Sequence, residues 1–183
     1  MAGSIHRAAL EVYSRLPRAA KRRIVRTISP SFTVGSMCFI ERDDASLLLV
    51  RHSYRERWGV PGGLLQRGES AGHGARREVK EEVGIDITLL GEPAVVVDPE
   101  PQRVDIIFRA RPLDPALAVE DRVQPRSPEI VEAAWFSPDS LPELQFETAD
   151  ALVTLARAAT SPVRRRLPDP VWPSFDERSG RSA

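Results

Sequence analysis

The segment from Gly63 to Ile85 constrains this chain more than any other, because it places clustered carboxylates on a helix beside an apolar strip. Small and apolar residues recur at helical spacing over residues 69–83, which predicts a helix there. With about 100° between successive residues, Glu78, Glu81 and Glu82 share one face of that helix. Two carboxylates about 4 Å apart repel each other by about 4 kcal/mol at an effective dielectric constant of roughly 20. The cluster therefore requires a cation.

A hard divalent cation suits this cluster best. Mg²⁺ binds through a few carboxylates and keeps water and substrate phosphates as its remaining ligands. The turn from Trp58 to Gly63 precedes the helix, and its glycines let the backbone approach a ligand closely. Glu69 lies at the predicted helix start, where a negative charge is favourable and can face the same site. We therefore expect Mg²⁺ or Mn²⁺ to bind here.

The segment resembles the Nudix box, which fixes the spacing of a glycine, a glutamate, an Arg-Glu pair, a Glu-Glu pair and a final glycine with its aliphatic neighbour. All specified positions of the box are matched, by Gly63, Glu69, Arg77, Glu78, Val79, Glu81, Glu82, Gly84 and Ile85. The resemblance implies an α/β fold, a Nudix-type α/β/α sandwich around a mixed β-sheet. It also implies metal-dependent hydrolysis of the diphosphate linkage in a nucleoside diphosphate linked to another moiety.

The resemblance further suggests which residues hold the metal. Glu78 and Glu82 are the expected primary ligands, and Glu81 is the next candidate. Glu69 lies at the edge of the cluster, and the carbonyl of Gly62 is a further candidate ligand.

Catalysis requires a group that takes a proton from the attacking water. The general base varies in enzymes with this box, so it can be Glu78 or Glu81, or a glutamate outside the box. Glu129 is our first choice outside the box and Glu132 the second, because both lie near the start of a predicted strand. Arg77 is expected to orient the box glutamates by a salt bridge rather than to contact substrate.

The sequence is less informative about the substrate. Arg51, Arg57 and Arg103 are candidates for contacting phosphates, and Tyr54 is a candidate for stacking on a base. Nucleotide sugars, ADP-ribose-like compounds and nucleoside triphosphates all fit the resemblance. Two alternatives remain open: removal of oxidised nucleoside triphosphates, and a nucleotide-binding sensor without turnover. Clustered, mutually repelling glutamates have no evident use in a sensor.

The two ends of the chain differ from its centre in charge. Residues 1–30 have a net charge of +6 and residues 31–160 a net charge of −8, within a chain whose formal net charge is zero. We expect residues 1–30 to be a basic helical extension, 31–160 the hydrolase domain and 161–183 an irregular tail rich in Pro and Arg. The helical pattern at the start runs over residues 5–28, and Pro17 interrupts it.

Composition argues against several classes of protein. A net charge of zero disfavours binding to nucleic acid, so the expected partner is a small-molecule nucleotide. The longest aliphatic runs are too short for a transmembrane segment, and Cys38 is the single cysteine, so no internal disulfide can form. These features suggest a cytoplasmic protein, and a homodimer remains possible.

Apolar runs rich in Val and Ile predict strands through the middle of the chain. The predicted strands are Ser31–Ile40, Ser46–His52, Ile85–Leu90, Ala94–Val97, Val104–Arg111 and Ile130–Phe136. The turn-forming residues 42–44 suggest that the first two strands form a hairpin. A second helix is predicted over residues 147–159.

Overall fold

The computed structural model describes residues 7, 13–28, 31–114 and 123–160. Three helices are well defined: α1 (Arg18–Ile28), α2 (Ala71–Val83) and α3 (Phe146–Thr160). Six strands accompany them: β1 (Thr33–Ile40), β2 (Leu47–His52), β3 (Gly62–Leu64), β4 (Ile87–Asp98), β5 (Arg103–Pro112) and β6 (Ile130–Phe136). The predicted tail, residues 161–183, lies outside the described residues. Of the predicted N-terminal helix, the structure defines α1 after Pro17 and a short helical stretch before it.

The main sheet is mixed and has the strand order β3-β1-β5-β4. β1 pairs with β5 in parallel, whereas β1 with β3 and β4 with β5 pair antiparallel. β2 and β6 form a separate antiparallel ribbon. The predicted mixed sheet is therefore confirmed. The predicted hairpin of the first two strands is wrong, because β1 and β2 lie in different sheets and only a single bridge, Glu41 with Leu47, joins their ends.

Two apolar cores lie on opposite faces of β1. Cys38 and Ile40 pack in the core that contains Val79 of α2, whereas Met37 and Phe39 pack in the core that contains Ala151 of α3. Successive side chains of a strand point to opposite faces, so this alternation buries both faces of β1. Helices therefore cover both sides of the sheet, as the predicted sandwich requires. Among the described residues, no helix is both long and apolar enough to cross a membrane.

The ends of α2 are fixed by local sequence. Ser70 is the N-cap, and its Oγ accepts a hydrogen bond from the N–H of His73 at 3.4 Å. Gly84 ends the helix with φ of 74°, and its N–H donates to the carbonyl of Lys80 at 3.0 Å. Glycine suits this left-handed position because it has no Cβ. These caps fix where the acidic helix begins after β3 and ends before β4.

Two strand predictions differ from the structure. The strands predicted at Ile85–Leu90 and Ala94–Val97 are a single strand, β4, whose register shifts between Leu90 and Ala94, with Gly91 at φ of 61°. A bulge lets one strand continue through such an interruption. The short strand β3 was not predicted, because its sequence reads as a glycine turn rather than an apolar run.

Candidate functional site

A cleft of about 420 Å³ opens between the end of β2, strand β3, helix α2 and the start of α3. Acidic, basic and aromatic side chains from β2, α2, β5, α3 and the neighbouring loops line it, whereas β3 contributes two glycines and a leucine. The polar and charged lining residues are His52, Tyr54, Arg55, Glu78, Glu82, Arg103, Glu129, Gln145, Glu147 and Thr148. The structure therefore brings residues from distant parts of the sequence to one place.

Glu78 and Glu82 are the box glutamates that line this cleft. Glu82 is 6% exposed, and burial raises the pKa of its carboxyl group above the ordinary value. The N–H of Gly62 points at Glu82 Oε2 at 3.3 Å, and His52 Nε2 lies 3.8 Å from Glu82 Oε1. These contacts partly offset the burial of a carboxylate.

The close approach of Gly63 to Glu78 explains why glycine occupies that position. A Cβ on Gly63 would lie 2.5 Å from Glu78 Cδ and 2.8 Å from Oε2. Gly62 is equally constrained, since its Cβ would meet the carbonyl oxygen of Ser36 and lie 3.0 Å from Met37 Cα. β3 can therefore pass between β1 and the acidic helix only without side chains at these two positions.

Arg77 connects three of the box glutamates. Its Nε and Nη2 donate to Glu69 at 2.8 and 3.0 Å, and its Nη1 donates to Glu78 at 2.8 Å and to Glu81 at 3.0 Å. Nη2 also donates to the carbonyl of Leu64 at 3.3 Å. These partners raise the pKa of Arg77, with Glu69 the largest contribution. The guanidinium thus supplies the balancing cation of the acidic cluster.

Glu69 and Glu81 lie at the edge of the arrangement and do not line the cleft. Both oxygens of Glu69 accept from Arg77, and one also accepts from the N–H of Gln66 at 2.9 Å. These hydrogen bonds lower the pKa of Glu69 to about 2. The Glu81 side chain is 57% exposed and contacts Arg77. Glu69 or Glu81 could bind a metal only if its carboxylate gave up or shared its contact with Arg77.

The two glutamates considered outside the box occupy different environments. Glu129 lines the cleft, and its carbonyl accepts a hydrogen bond from the N–H of Ser53 at 2.8 Å. The preceding loop is tied to α2, because the N–H of Arg126 donates to the carbonyl of Glu82 at 2.8 Å. Glu132 instead pairs with Arg51 at 2.8 Å on the β2–β6 ribbon. Only Glu129 of these two faces the box glutamates.

The candidate substrate-binding residues divide in the same way. Tyr54, 67% exposed, and Arg103 line the cleft. Asp105 holds Arg103 through Nε at 2.8 and 2.9 Å and raises its pKa. Arg57 pairs with Glu143 at 2.7 Å and, like the paired Arg51, does not line the cleft.

Comparison with known proteins identifies the family of this chain. A family model described as the NUDIX domain matches residues 31–156. The chain belongs to the Nudix hydrolase family.

Several Nudix proteins and their relatives are similar to this chain. A MutT-like protein from Streptomyces ambofaciens is 29% identical over 121 residues, which cover 66% of this chain and 74% of that protein. The human 8-oxo-dGDP phosphatase NUDT18 is 31% identical over 117 residues, 61% of this chain but only 33% of that protein. The solved structure of an ADP-ribose pyrophosphatase from Streptococcus suis matches with a TM-score of 0.54 and 26% identity, covering 72% of this chain and 95% of that one.

Nudix hydrolases use divalent metal ions, and the donor set of this cleft fits one. Within the described residues, no three carboxylate, imidazole or thiol side chains already form a closed metal cluster. Mg²⁺ needs only one or two carboxylates when water and phosphate oxygens complete its octahedron. Glu78 and Glu82 provide two carboxylates on the same cleft wall. The open remainder of the cleft leaves room for phosphate.

Several residues of this Nudix cleft are not among the sequence-predicted site residues. His52 has no metal-ligand partner at suitable spacing in the sequence, yet it faces Glu82. Gln145 and Glu147 also line the cleft, at the start of α3. The N–H of Gln145 donates to the carbonyl of Trp58 at 2.7 Å, which places α3 beside the glycine turn. The position of His52 at the end of a predicted strand could have indicated that it lies at the site. Nothing in the sequence indicates the long-range contact between Gln145 and Trp58.

Proposed function

We propose that this chain hydrolyses the diphosphate linkage of a nucleoside diphosphate linked to another moiety, with Mg²⁺ or Mn²⁺ bound by Glu78 and Glu82. The observation that carries the proposal is the convergence of these two carboxylates with Glu129 and Arg103 in one cleft. A divalent ion bound there supplies neutralisation of phosphate charge and a lower pKa for bound water.

The residues of the chain have separate roles in this proposal. The Glu129 carboxylate accepts the proton of the water that attacks phosphorus. Arg103, held by Asp105, binds a phosphate oxygen in the cleft. Arg77 keeps the Glu78 carboxylate in place through its hydrogen bond at 2.8 Å.

Glu78 and Glu81, the alternative bases within the box, both bind the Arg77 guanidinium. Arg77 therefore already occupies an oxygen of each of these two carboxylates, which favours Glu129 as the general base.

A second cavity supports a nucleoside as one end of the substrate. It has a volume of about 270 Å³ and shares Met37, Arg103 and Glu147 with the main cleft. Its apolar walls come from Val96, Pro101, Ile107, Phe146 and Ala151. Its charged rim includes the carboxylates of Asp98, Asp105, Glu147 and Asp150. Apolar walls accept a planar base, whereas the carboxylates repel a second highly anionic group.

Hydrolysis of oxidised nucleotides is the second candidate within the same chemistry. The human relative NUDT18 is named an 8-oxo-dGDP phosphatase, and the carboxylates beside the apolar walls can accept hydrogen bonds from the N–H groups of a base. A Streptococcus suis structure is named an ADP-ribose pyrophosphatase, so ADP-ribose belongs in the same comparison. A nucleotide sensor would bind one of these nucleotides without forming product.

The experiment measures, by chromatography, the nucleoside monophosphate formed from a panel of 8-oxo-dGTP, 8-oxo-dGDP, ADP-ribose and nucleotide sugars, with Mg²⁺ or Mn²⁺. Glu82→Gln should lower turnover at least about 100-fold, because it removes a metal ligand and leaves the fold intact. The exposed Glu92→Gln on β4 is the matched control and should keep the wild-type rate.

Thermal unfolding gives an independent measurement. Mg²⁺ at about 100 times its dissociation constant stabilises a native state that binds it by about 2.7 kcal/mol, so it should raise the melting temperature of the wild type. Glu82→Gln removes a buried charge and should be at least as stable as the wild type without metal, with a smaller rise in Mg²⁺. Wild-type turnover by this variant would show that α2 is not the catalytic centre.

A further inference from the structure

The side-chain amide of Gln145 is held in one orientation. This residue is 9% exposed and lies immediately before α3. Its Oε1 accepts a hydrogen bond from Arg55 Nη1 at 3.2 Å, and its Nε2 donates to the carbonyl of Arg57 at 3.1 Å. A guanidinium can only donate and a backbone carbonyl can only accept. These two partners therefore decide which end of the amide carries the hydrogens.

The fixed amide selects the tautomer of the neighbouring neutral imidazole. Gln145 Nε2 lies 3.5 Å from His52 Nδ1. Because the amide nitrogen can only donate, Nδ1 must be the acceptor, and the proton of a neutral imidazole must be on Nε2. His52 Nε2 is the atom that lies 3.8 Å from Glu82 Oε1. This distance is longer than a hydrogen bond, so the N–H dipole acts on the carboxylate electrostatically.

The other tautomer would be unfavourable on both sides of the ring. It would direct an Nδ1–H at the N–H of the Gln145 amide and an Nε2 lone pair at the Glu82 carboxylate. The His52 and Glu82 side chains are only 11% and 8% exposed, so water screens these repulsions poorly. The aromatic ring of Tyr54, 5.3 Å from the His52 ring, packs beside the imidazole.

We propose that Gln145 is a positioning residue that holds His52 in the Nε2–H tautomer, and that His52 thereby orients Glu82 in the cleft. The importance of this arrangement for hydrolysis rests on the proposed function, because it treats Glu82 as a metal ligand. Partners that orient a ligand in this way typically affect metal affinity or activity by about 10- to 100-fold.

Nitrogen-15 NMR of the imidazole side chains in the metal-free protein reads the tautomer directly. The chain has three histidines, and the signals lost in His52→Gln identify those of His52. The wild type should show a protonated Nε2 and an unprotonated Nδ1 when the ring is neutral. Gln145→Met, which keeps the side-chain length but removes the amide, should give a mixture of both tautomers. The exposed Gln124→Met is the matched control and should preserve the wild-type signals.

Two substitutions of His52 test the effect on Glu82. Glutamine places an N–H close to the position of imidazole Nε2, whereas asparagine reaches only the position of Nδ1. Mg²⁺ alone, titrated by thermal unfolding, should bind His52→Gln nearly as well as the wild type. It should bind His52→Asn and Gln145→Met about 10- to 100-fold more weakly.

Three results would overturn the inference: a protonated Nδ1 in the wild type, an unchanged tautomer in Gln145→Met, or equal Mg²⁺ affinity of the two His52 variants. Circular dichroism of each variant shows whether it has folded. These measurements need no turnover. Failure of the proposed function would appear separately, as a folded wild type that binds Mg²⁺ but hydrolyses no nucleotide in the panel.

Discussion

Adding a single methyl group at Gly63 should displace the Glu78 carboxylate without changing any charge. The Cβ of Gly63→Ala would lie 2.5 Å from Glu78 Cδ, whereas ordinary contacts begin at 3.4 Å, so the carboxylate must retreat by about 1 Å. The backbone of Gly63 is not in the positive-φ region, so the alanine itself is not strained. The substitution therefore tests the placement of one carboxylate.

The expected effect on activity is larger than the effect on stability. A misplacement of about 1 Å at a reacting site can lower the rate about 100-fold. The Glu78 side chain is 16% exposed, so moving it costs an off-rotamer conformation, about 0.5–1.5 kcal/mol, together with distortion of its hydrogen bond from Arg77. Gly63→Ala should therefore remain folded, with kcat reduced about 100-fold and Mg²⁺ affinity weakened.

Gly72→Ala provides the matched control within α2. Its Cβ would lie 3.2 Å from Leu89 Cδ1 and 3.7 Å from Arg76 Nη1, and it faces no box glutamate. Alanine is favoured over glycine in a helix by about 1 kcal/mol, which offsets the tight contact with Leu89. Formation of the nucleoside monophosphate and urea unfolding should show near wild-type behaviour for this control. Wild-type turnover and Mg²⁺ dependence in Gly63→Ala would refute the assignment of Glu78 to the site.

Three further predictions concern the surrounding charges. Arg77→Lys replaces a guanidinium that contacts three carboxylates by a single ammonium. Urea unfolding should show that the free energy of unfolding falls by about 1.5–3 kcal/mol. An unchanged free energy of unfolding would contradict the role of Arg77. The pKa of Glu69 is lowered to about 2, so its stabilising effect is complete above the ordinary value of 4.5 and is lost as the pH falls toward 2. Stability measured between pH 5 and pH 2 should therefore fall more steeply in the wild type than in Glu69→Gln, and parallel curves would argue against this coupling. In a steady-state assay, Glu129→Gln should lower turnover about 100- to 10,000-fold and Glu132→Gln much less. Equal, wild-type-like activity of both variants would place the general base in the Nudix box.

The local parts of the structure could be predicted from the sequence. The helical spacing of the glutamates gave the acidic face of α2, and Ser70 and Gly84 mark its ends because capping depends on neighbouring residues. The Nudix box identified the family, and the mixed sheet followed from that resemblance. The acidic face and the ends of α2 depend on residues within a few turns of one another, where sequence spacing and spatial distance agree.

The long-range parts could not be predicted in the same way. The pairing of β1 with β5 joins Thr33 to Arg103, and no local pattern distinguishes it from a hairpin between β1 and β2. Gln145 reaches the cleft only because its backbone bonds to Trp58. Which of the candidate arginines line the cleft also depends on tertiary partners. Arg51 and Arg57 do not line it, because each forms an ion pair with a glutamate elsewhere on the surface of the fold.

The charges that line the cleft are unbalanced toward the acidic side. Four glutamates but only two arginines line the cleft, and Arg55 is already paired with Glu147 at 3.0 Å. Arg77 balances the cluster but does not itself line the cleft. In the proposed function, a diphosphate would meet an excess of negative charge at α2 and a cation at Arg103. Because like charges repel strongly, we expect binding of the nucleotide to be coupled to binding of a divalent cation beside α2. The acidic helix would then favour the metal-bound form of the substrate.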